Sequence, residues 1–219
     1  MVMNMRIGNM SGFCVGEPWN ARAINDRIGF TAATSQDIWP EHPEKILGTR
    51  SEWVTRHPNT ARALVAALME AQRWIEASAD NTRETARLLA RRAWLNTKEQ
   101  YLTGRMLGEY DNGIGRRWQD AHPMRFYEQG EVSFPWLSDG MWFLTQFRRW
   151  GLLKSAPDYL AVAQRINRID VWKEAAQAVG GISAPTQTMR SSTLIDGKVW
   201  NGVDPEGYAR SFAIQRKGA

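Results

Sequence analysis

The stretch GFCVGEPWNARAI, Gly12 to Ile24, decides the fold. Its first residues, Gly12–Val15, are a short apolar run that reads as a strand. Gly16 then turns the chain and Glu17 follows. Pro18 suits the first helical position, where its fixed φ fits and its missing N–H is no loss. The helix is expected to run to about Asp26, with GFTAAT, Gly29–Thr34, as a second strand. Residues 11–34 therefore read as a compact strand–helix–strand unit with a short crossover. Two or three strands do not make an independent sheet, so this unit predicts neighbours outside itself. A turn that delivers a strand into a helix exposes backbone N–H groups and the positive end of the helix dipole, which suits an anion. Glycine at Gly16 lets an anion approach the backbone closely. The plainer reading is an ordinary turn with Glu17 as its cap.

The next segment, QDIWPEHPEKIL, Gln36–Leu47, carries two prolines and a Trp that stiffen it. Lys45 falls on what reads as a short helical turn, where its ammonium is placed to meet an anion as a point charge. A solvated surface lysine is the alternative. Beyond it the pattern becomes helical. Residues 59–78 put Ala63, Leu64, Ala67, Leu68, Ala71 and Trp74/Ile75 on one apolar face. Helices follow with Thr82 as one cap, and Asn96 or Thr97 as the next. Residues 111–137, rich in Gly and aromatics, predict a long ordered loop with one short strand. Ser138 is expected to cap another helix. Residues 158–168 and 169–179 read as two more, TLIDGKVW as a strand or turn, and DPEGYARSF as a last short helix.

Composition narrows the function. Of 219 residues, 43% are hydrophobic, enough for a packed core. No run approaches the roughly 18 apolar residues that span a bilayer. The opening MVMNMRIGNM lacks the basic and apolar regions of a signal peptide, so either the protein is cytoplasmic or a targeting segment lies upstream. The single Cys14 precludes an internal disulfide and reads as core packing within the apolar run. The eleven tryptophans read as packing anchors, with room for one or two beside a ligand. The net charge of +5 comes from scattered Arg pairs such as Arg91-Arg92, Arg116-Arg117 and Arg148-Arg149. They form no stripe and accompany no nucleic-acid motif, so the charge points to small anions rather than direct nucleic-acid binding. His42, His57 and His122 all precede proline, which extends the backbone at each. They are widely separated and predict no metal site. Gly113-Ile-Gly115 lacks the rest of a dinucleotide fingerprint. No nucleophile–base arrangement stands out, so no enzyme activity and no cofactor are expected.

The run NMRIGNMSGFCVGEPWNARAINDRIGFTAATSQDIWPEHPEKILGT resembles the central segment of the nitrate- and bicarbonate-binding proteins of ABC transporters. It carries that family's DGFCVGEPWN-type block, with Ser11 in place of the usual acidic residue, and its DIW..HPEK.L-type block. LTQFRRWGLLKSAPDYLAVAQRINRIDVWKEA and DGKVWNGVDPEGYARSF resemble its C-terminal part. The resemblance implies an α/β, type II periplasmic-binding-protein fold, present in part, with a mostly helical C-terminal portion. Residues 1–58 would be the end of one α/β lobe with the ligand loop and return crossing. Residues 59–219 would be the helical part packing on the other lobe. The implied function is solute binding for an ABC importer of nitrate or nitrite, in an interlobe cleft. Its partners would be the permease and ATPase, and its location periplasmic or membrane-associated. The implied contacts are the Gly16 backbone and Lys45. Lysine there favours nitrate or nitrite over bicarbonate, whose binders look as though they place an acidic residue and a cation in this region. Glu17 argues the other way unless it turns into its own helix cap. A second branch of the family implies an alternative: a cytoplasmic nitrate or nitrite sensor controlling an RNA-binding antiterminator.

Overall fold

A computed structural model describes residues 1–214. Eleven α-helices occur among them: α1 (Val2–Arg6), α2 (Trp19–Asn25), α3 (Ser35–Ile38), α4 (Ser51–Arg56), α5 (Pro58–Glu76), α6 (Ala79–Ala90), α7 (Gln100–Met106), α8 (Leu137–Arg149), α9 (Tyr159–Ile166), α10 (Ile169–Val179) and α11 (Pro205–Arg210). Strands β1 (Glu109–Asp111) and β2 (Arg117–Gln119) form one antiparallel hairpin; β3 (Ser192–Thr193) and β4 (Val199–Trp200) form another. The chain divides into two compact units. One gathers residues 1–36 and 72–128, the other 37–71 and 129–219, so the division falls inside α5.

In the first unit α6 and α7 pack around Ala86, Leu102 and Met106, with Leu89, Ala90 and Phe126 alongside. α2 packs on α7, and the Tyr101 hydroxyl donates to Asp26 at 3.0 Å. Neither of the two strands expected near the start forms among the described residues. Neither run has a ladder partner among the described residues. Residues 29–34 make one backbone bond to the loop after β1, Thr31 N–H to the Asn112 carbonyl at 2.9 Å. The close fit there requires glycine: a Cβ on Gly113, at φ +82, would meet the Gly29 carbonyl at 3.1 Å. Without a ladder to fold it inward, Cys14 is exposed and does not pack in a core.

The second unit holds two apolar clusters. Leu137, Met141, Tyr159, Ala163, Trp200, Tyr208 and Phe212 join α8, α9, α11 and β4. Trp200 is fully buried and its indole N–H donates to the Ser138 carbonyl at 2.8 Å. Met69, Phe134, Trp172, Ala175 and Ala176 join α5 and α10. A part-buried bidentate pair ties the segment before β3 to α8: Arg190 Nε and Nη2 donate to Asp139 at 2.9 and 2.7 Å. Burial pushes the Asp139 carboxyl up from its ordinary value, against the pull of Arg190.

Several caps differ from expectation. α6 starts at Ser78, whose side chain accepts from Asn81 N–H at 3.1 Å, and not at Thr82. Ser satisfies an orphan N–H three residues on, and Thr82 is left inside the helix, donating to the Ile75 carbonyl. α7 begins after Glu99, beyond both Asn96 and Thr97; Asn96 sits at φ +46, outside helical geometry. α8 is entered from Trp136. Ser138 lies within it, fully buried, accepting from Arg190 N–H at 3.0 Å. The loop expected over 111–137 contains β2 and a kinked 3-10 segment, Glu128–Ser133. Asp158 and Asp204 cap α9 and α11, accepting from Ala161 and Gly207 N–H.

Candidate functional site

Gly16 is half-buried and opens the turn into α2. The Glu17–Pro18 peptide is cis and Pro18 is buried at the N-cap, one position before the helix proper. Pro18 thus stands one residue outside the first helical position expected for it. Asn20 Nδ2 donates to the Val15 carbonyl at 2.6 Å and fastens the helix to the residue before Gly16. Asn25 Nδ2 donates to the Ala21 carbonyl one turn on.

Glu17 turns into the helix. One carboxylate oxygen accepts from Ala21 N–H at 2.9 Å, satisfying a first-turn donor. The other lies 3.0 Å from Arg105 Nε. The Arg105 side chain is only 9% exposed. Its guanidinium lies over the Tyr110 ring, 3.2 Å from the centroid, and Nη2 donates to the Asp111 carbonyl at 3.3 Å. Burial pushes the Glu17 carboxyl above its ordinary value; the Ala21 hydrogen bond and Arg105 pull it back. The result is a negative charge beside Gly16 that is both occupied by donors and countered by a cation.

Nothing in the sequence singles out Arg105. It stands on a short helix 88 positions from Glu17 by numbering, 105 − 17, so only the folded chain brings the two together. Glu17 turns into its own helix, the orientation in which its charge does not argue against an anion at Gly16.

Lys45 belongs to the second unit. It sits in a stretch without regular structure, residues 42–50, and not on a helical turn. Pro40 and Pro43 flank the approach, and proline disfavours helix in the residue before it. The Lys45 side chain is 79% exposed and its ammonium meets Glu44 at 2.8 Å. Such a surface pair is worth about 0–1 kcal/mol and exchanges readily for another anion. Six residues upstream by numbering, 45 − 39, Trp39 anchors the segment. It is buried against Trp142 at 4.5 Å between ring centroids, with His42 at 6.4 Å. The Trp39 indole N–H is buried with no hydrogen-bond partner among the described residues.

The histidines have different surroundings. His42 meets the Pro43 carbonyl through Nδ1 at 2.8 Å. His57 packs on Trp53 at 5.6 Å, and His122 lies in the first unit. Among the described residues no group of three His, Cys, Asp or Glu side chains is arranged to hold a metal.

Residues 1–90 match the model of the NMT1-like family. The nitrate/nitrite binding protein NrtA of a Nostoc species is 36% identical over 99% of this chain and 50% of its own length. The bicarbonate-binding protein CmpA of Synechococcus elongatus is 36% identical over 98% of this chain and 50% of its own. The crystal structure of the periplasmic nitrate-binding protein NrtA from Synechocystis matches with a TM-score of 0.91 at 36% identity. It covers 98% of this chain and 56% of that one. The fold is therefore that of a periplasmic binding protein, present in part. More particularly, the chain is similar over nearly its whole length to nitrate- and bicarbonate-binding proteins, as its sequence resemblance implied. It spans about half the length of the curated relatives it matches, consistent with their C-terminal half.

Proposed function

We propose that this chain forms part of the solute-binding component of an ABC importer and contributes two contacts, the Gly16 backbone and the Lys45 ammonium, to a bound nitrate or nitrite. The observation that carries the reading is the match, at a TM-score of 0.91, to a nitrate-binding protein over 98% of this chain. Relatives that bind nitrate and bicarbonate match at similar identity, 36–39% and 36%, so the choice of anion rests on residues. Lys45 offers a cation where a metal-assisted bicarbonate site would call for acids. Glu17, the acid next to Gly16 in the chain, is occupied by Ala21 N–H and Arg105. Both features favour a bare monoanion held by donors and one positive charge. Binding would proceed by closure on the anion, the closed state being the one a permease and its ATPase recognise.

The same reading places the intact protein in the periplasm or at the membrane. No helix among the described residues is long and apolar enough to cross a bilayer. The sensor alternative has no observation of its own in its favour.

Calorimetry on the full-length protein tests the proposal. Nitrate and nitrite should give saturable heat, with bicarbonate weaker. Lys45→Ala should weaken nitrate binding by about tenfold, the loss of roughly 1.4 kcal/mol. No heat with any of the three anions ends the solute-binding reading. Unchanged affinity in the Lys45→Ala variant removes that residue from the site.

A further inference from the structure

We propose that Arg105 is a positioning residue for the anion site: by pairing with Glu17 it holds that carboxylate in the α2 cap and cancels its charge beside the Gly16 backbone. The inference rests on the reading of Gly16 as an anion contact and adds a residue that no sequence motif assigns to it.

Glu17 follows Gly16 directly, so an anion resting on the Gly16 backbone has a carboxylate as its nearest charged neighbour in the chain. A free carboxylate there would repel it. Both Glu17 oxygens are engaged, one by Ala21 N–H at 2.9 Å and one by Arg105 Nε at 3.0 Å. Arg105 has little freedom to leave. Its side chain is 9% exposed, its plane rests on Tyr110, and Nη2 reaches the Asp111 carbonyl. The nearby acid that competes for it is already occupied: Asp111 accepts from Gly113 N–H and Arg117 Nε, each at 2.7 Å. Arginine suits this task better than lysine because its planar fork makes the pair, the ring stack and the carbonyl bond at once. The arrangement turns an unfavourable acid into a neutral cap without removing the cap.

Charge-specific rescue separates this role from a merely structural one. Nitrate affinity of the full-length protein is measured by calorimetry at about pH 8, where carboxylates are ionised, alongside thermal unfolding of each variant. R105M should weaken binding about tenfold, because Glu17 then faces the site uncompensated. E17Q should tighten it severalfold, because Gln still caps α2 while Arg105 is left as net positive charge. The double variant E17Q/R105M should return to within about threefold of wild type. Should R105M fail to fold, R105K carries the test, with about threefold weaker binding that E17Q abolishes. The proposal is overturned if R105M binds like wild type, or if E17Q/R105M is as weak as R105M. Absence of nitrate, nitrite and bicarbonate heat in the wild type is a different result: it removes the anion site itself, and this role with it.

Discussion

Glu17 carries a cost that its surroundings do not fully offset. Burial is the largest influence on its carboxyl and raises it; the Ala21 hydrogen bond and the Arg105 pair act against that and are smaller. A carboxyl raised in the folded state binds its proton more tightly there than in the unfolded chain. Stability from this group is therefore greatest below the ordinary glutamate value of 4.5 and declines as pH rises through the folded value. Glu17→Gln cannot titrate. Urea midpoints of the wild type and of Glu17→Gln, compared from about pH 4 to about pH 7, should diverge in one direction: the wild type loses ground to the variant as pH rises. A wild type that gains ground instead would mean that Arg105 outweighs burial at this carboxyl. Acid-sensitive groups elsewhere act oppositely, since Gly113 N–H and then Arg117 hold Asp111 below its ordinary value, but they are common to both proteins and cancel in the comparison.

At the scale of elements, α5 shows where sequence pattern and packing part. The apolar positions Leu64, Leu68, Ala71 and Trp74 repeat at helical spacing and predict the buried face. In the structure they are exposed, Leu68 to 41%. The inward face is the next stripe round the helix, Ala61 and Met69 buried with Val65 and Gln72 half-buried. Periodicity says that a stripe is apolar, not what lies against it, and α5 has two apolar stripes side by side. The first strand and GFTAAT fail for a related reason. Apolar composition marks a segment able to pair, and pairing needs a neighbour that the described residues do not supply. What was legible was local: α10 over Ile169–Val179, a helix from about residue 158, the glycine turn into α2 and Glu17 turned into that helix. The Arg105 partnership was not, because no short-range pattern links residues so far apart. The packing of α5 gives a direct contrast. Met69→Ala removes a side chain with no exposure and should cost about 2–4 kcal/mol. Leu68→Glu, one position away, should change stability by less than about 0.5 kcal/mol. Urea denaturation of the two variants checks this, and a Leu68→Glu loss as large as that of Met69→Ala would return the sequence-predicted face to the core.

For the whole molecule, apolar exposure outweighs charge. Both units present large apolar side chains to solvent: Leu64, Leu68, Ile46 and Val203 in one, Trp74 and Trp94 in the other, with Ile46 at 84% and Val203 at 81%. Single exposed residues are ordinary, but a continuous stripe such as that on α5 marks a contact surface or an aggregation risk. A net charge of +5 over 219 residues gives modest mutual repulsion. Prepared as these 219 residues alone, the chain should bind the dye ANS in native buffer and self-associate as its concentration rises, while keeping its near-UV circular dichroism. Retention of that signal separates a folded protein with uncovered surface from a loosely packed one. The triple variant Leu64→Glu, Leu68→Lys, Trp74→Gln should lose most of the dye binding and most of the self-association. Its urea midpoint should stay close to that of the parent, because none of the three side chains is buried. Sedimentation velocity and dye fluorescence, run on both proteins at matched concentrations, decide the matter. A parent chain that sediments as a dye-free monomer at about 100 µM, the range where exposed apolar surface drives association, would show that the stripe is too dispersed to act as a surface.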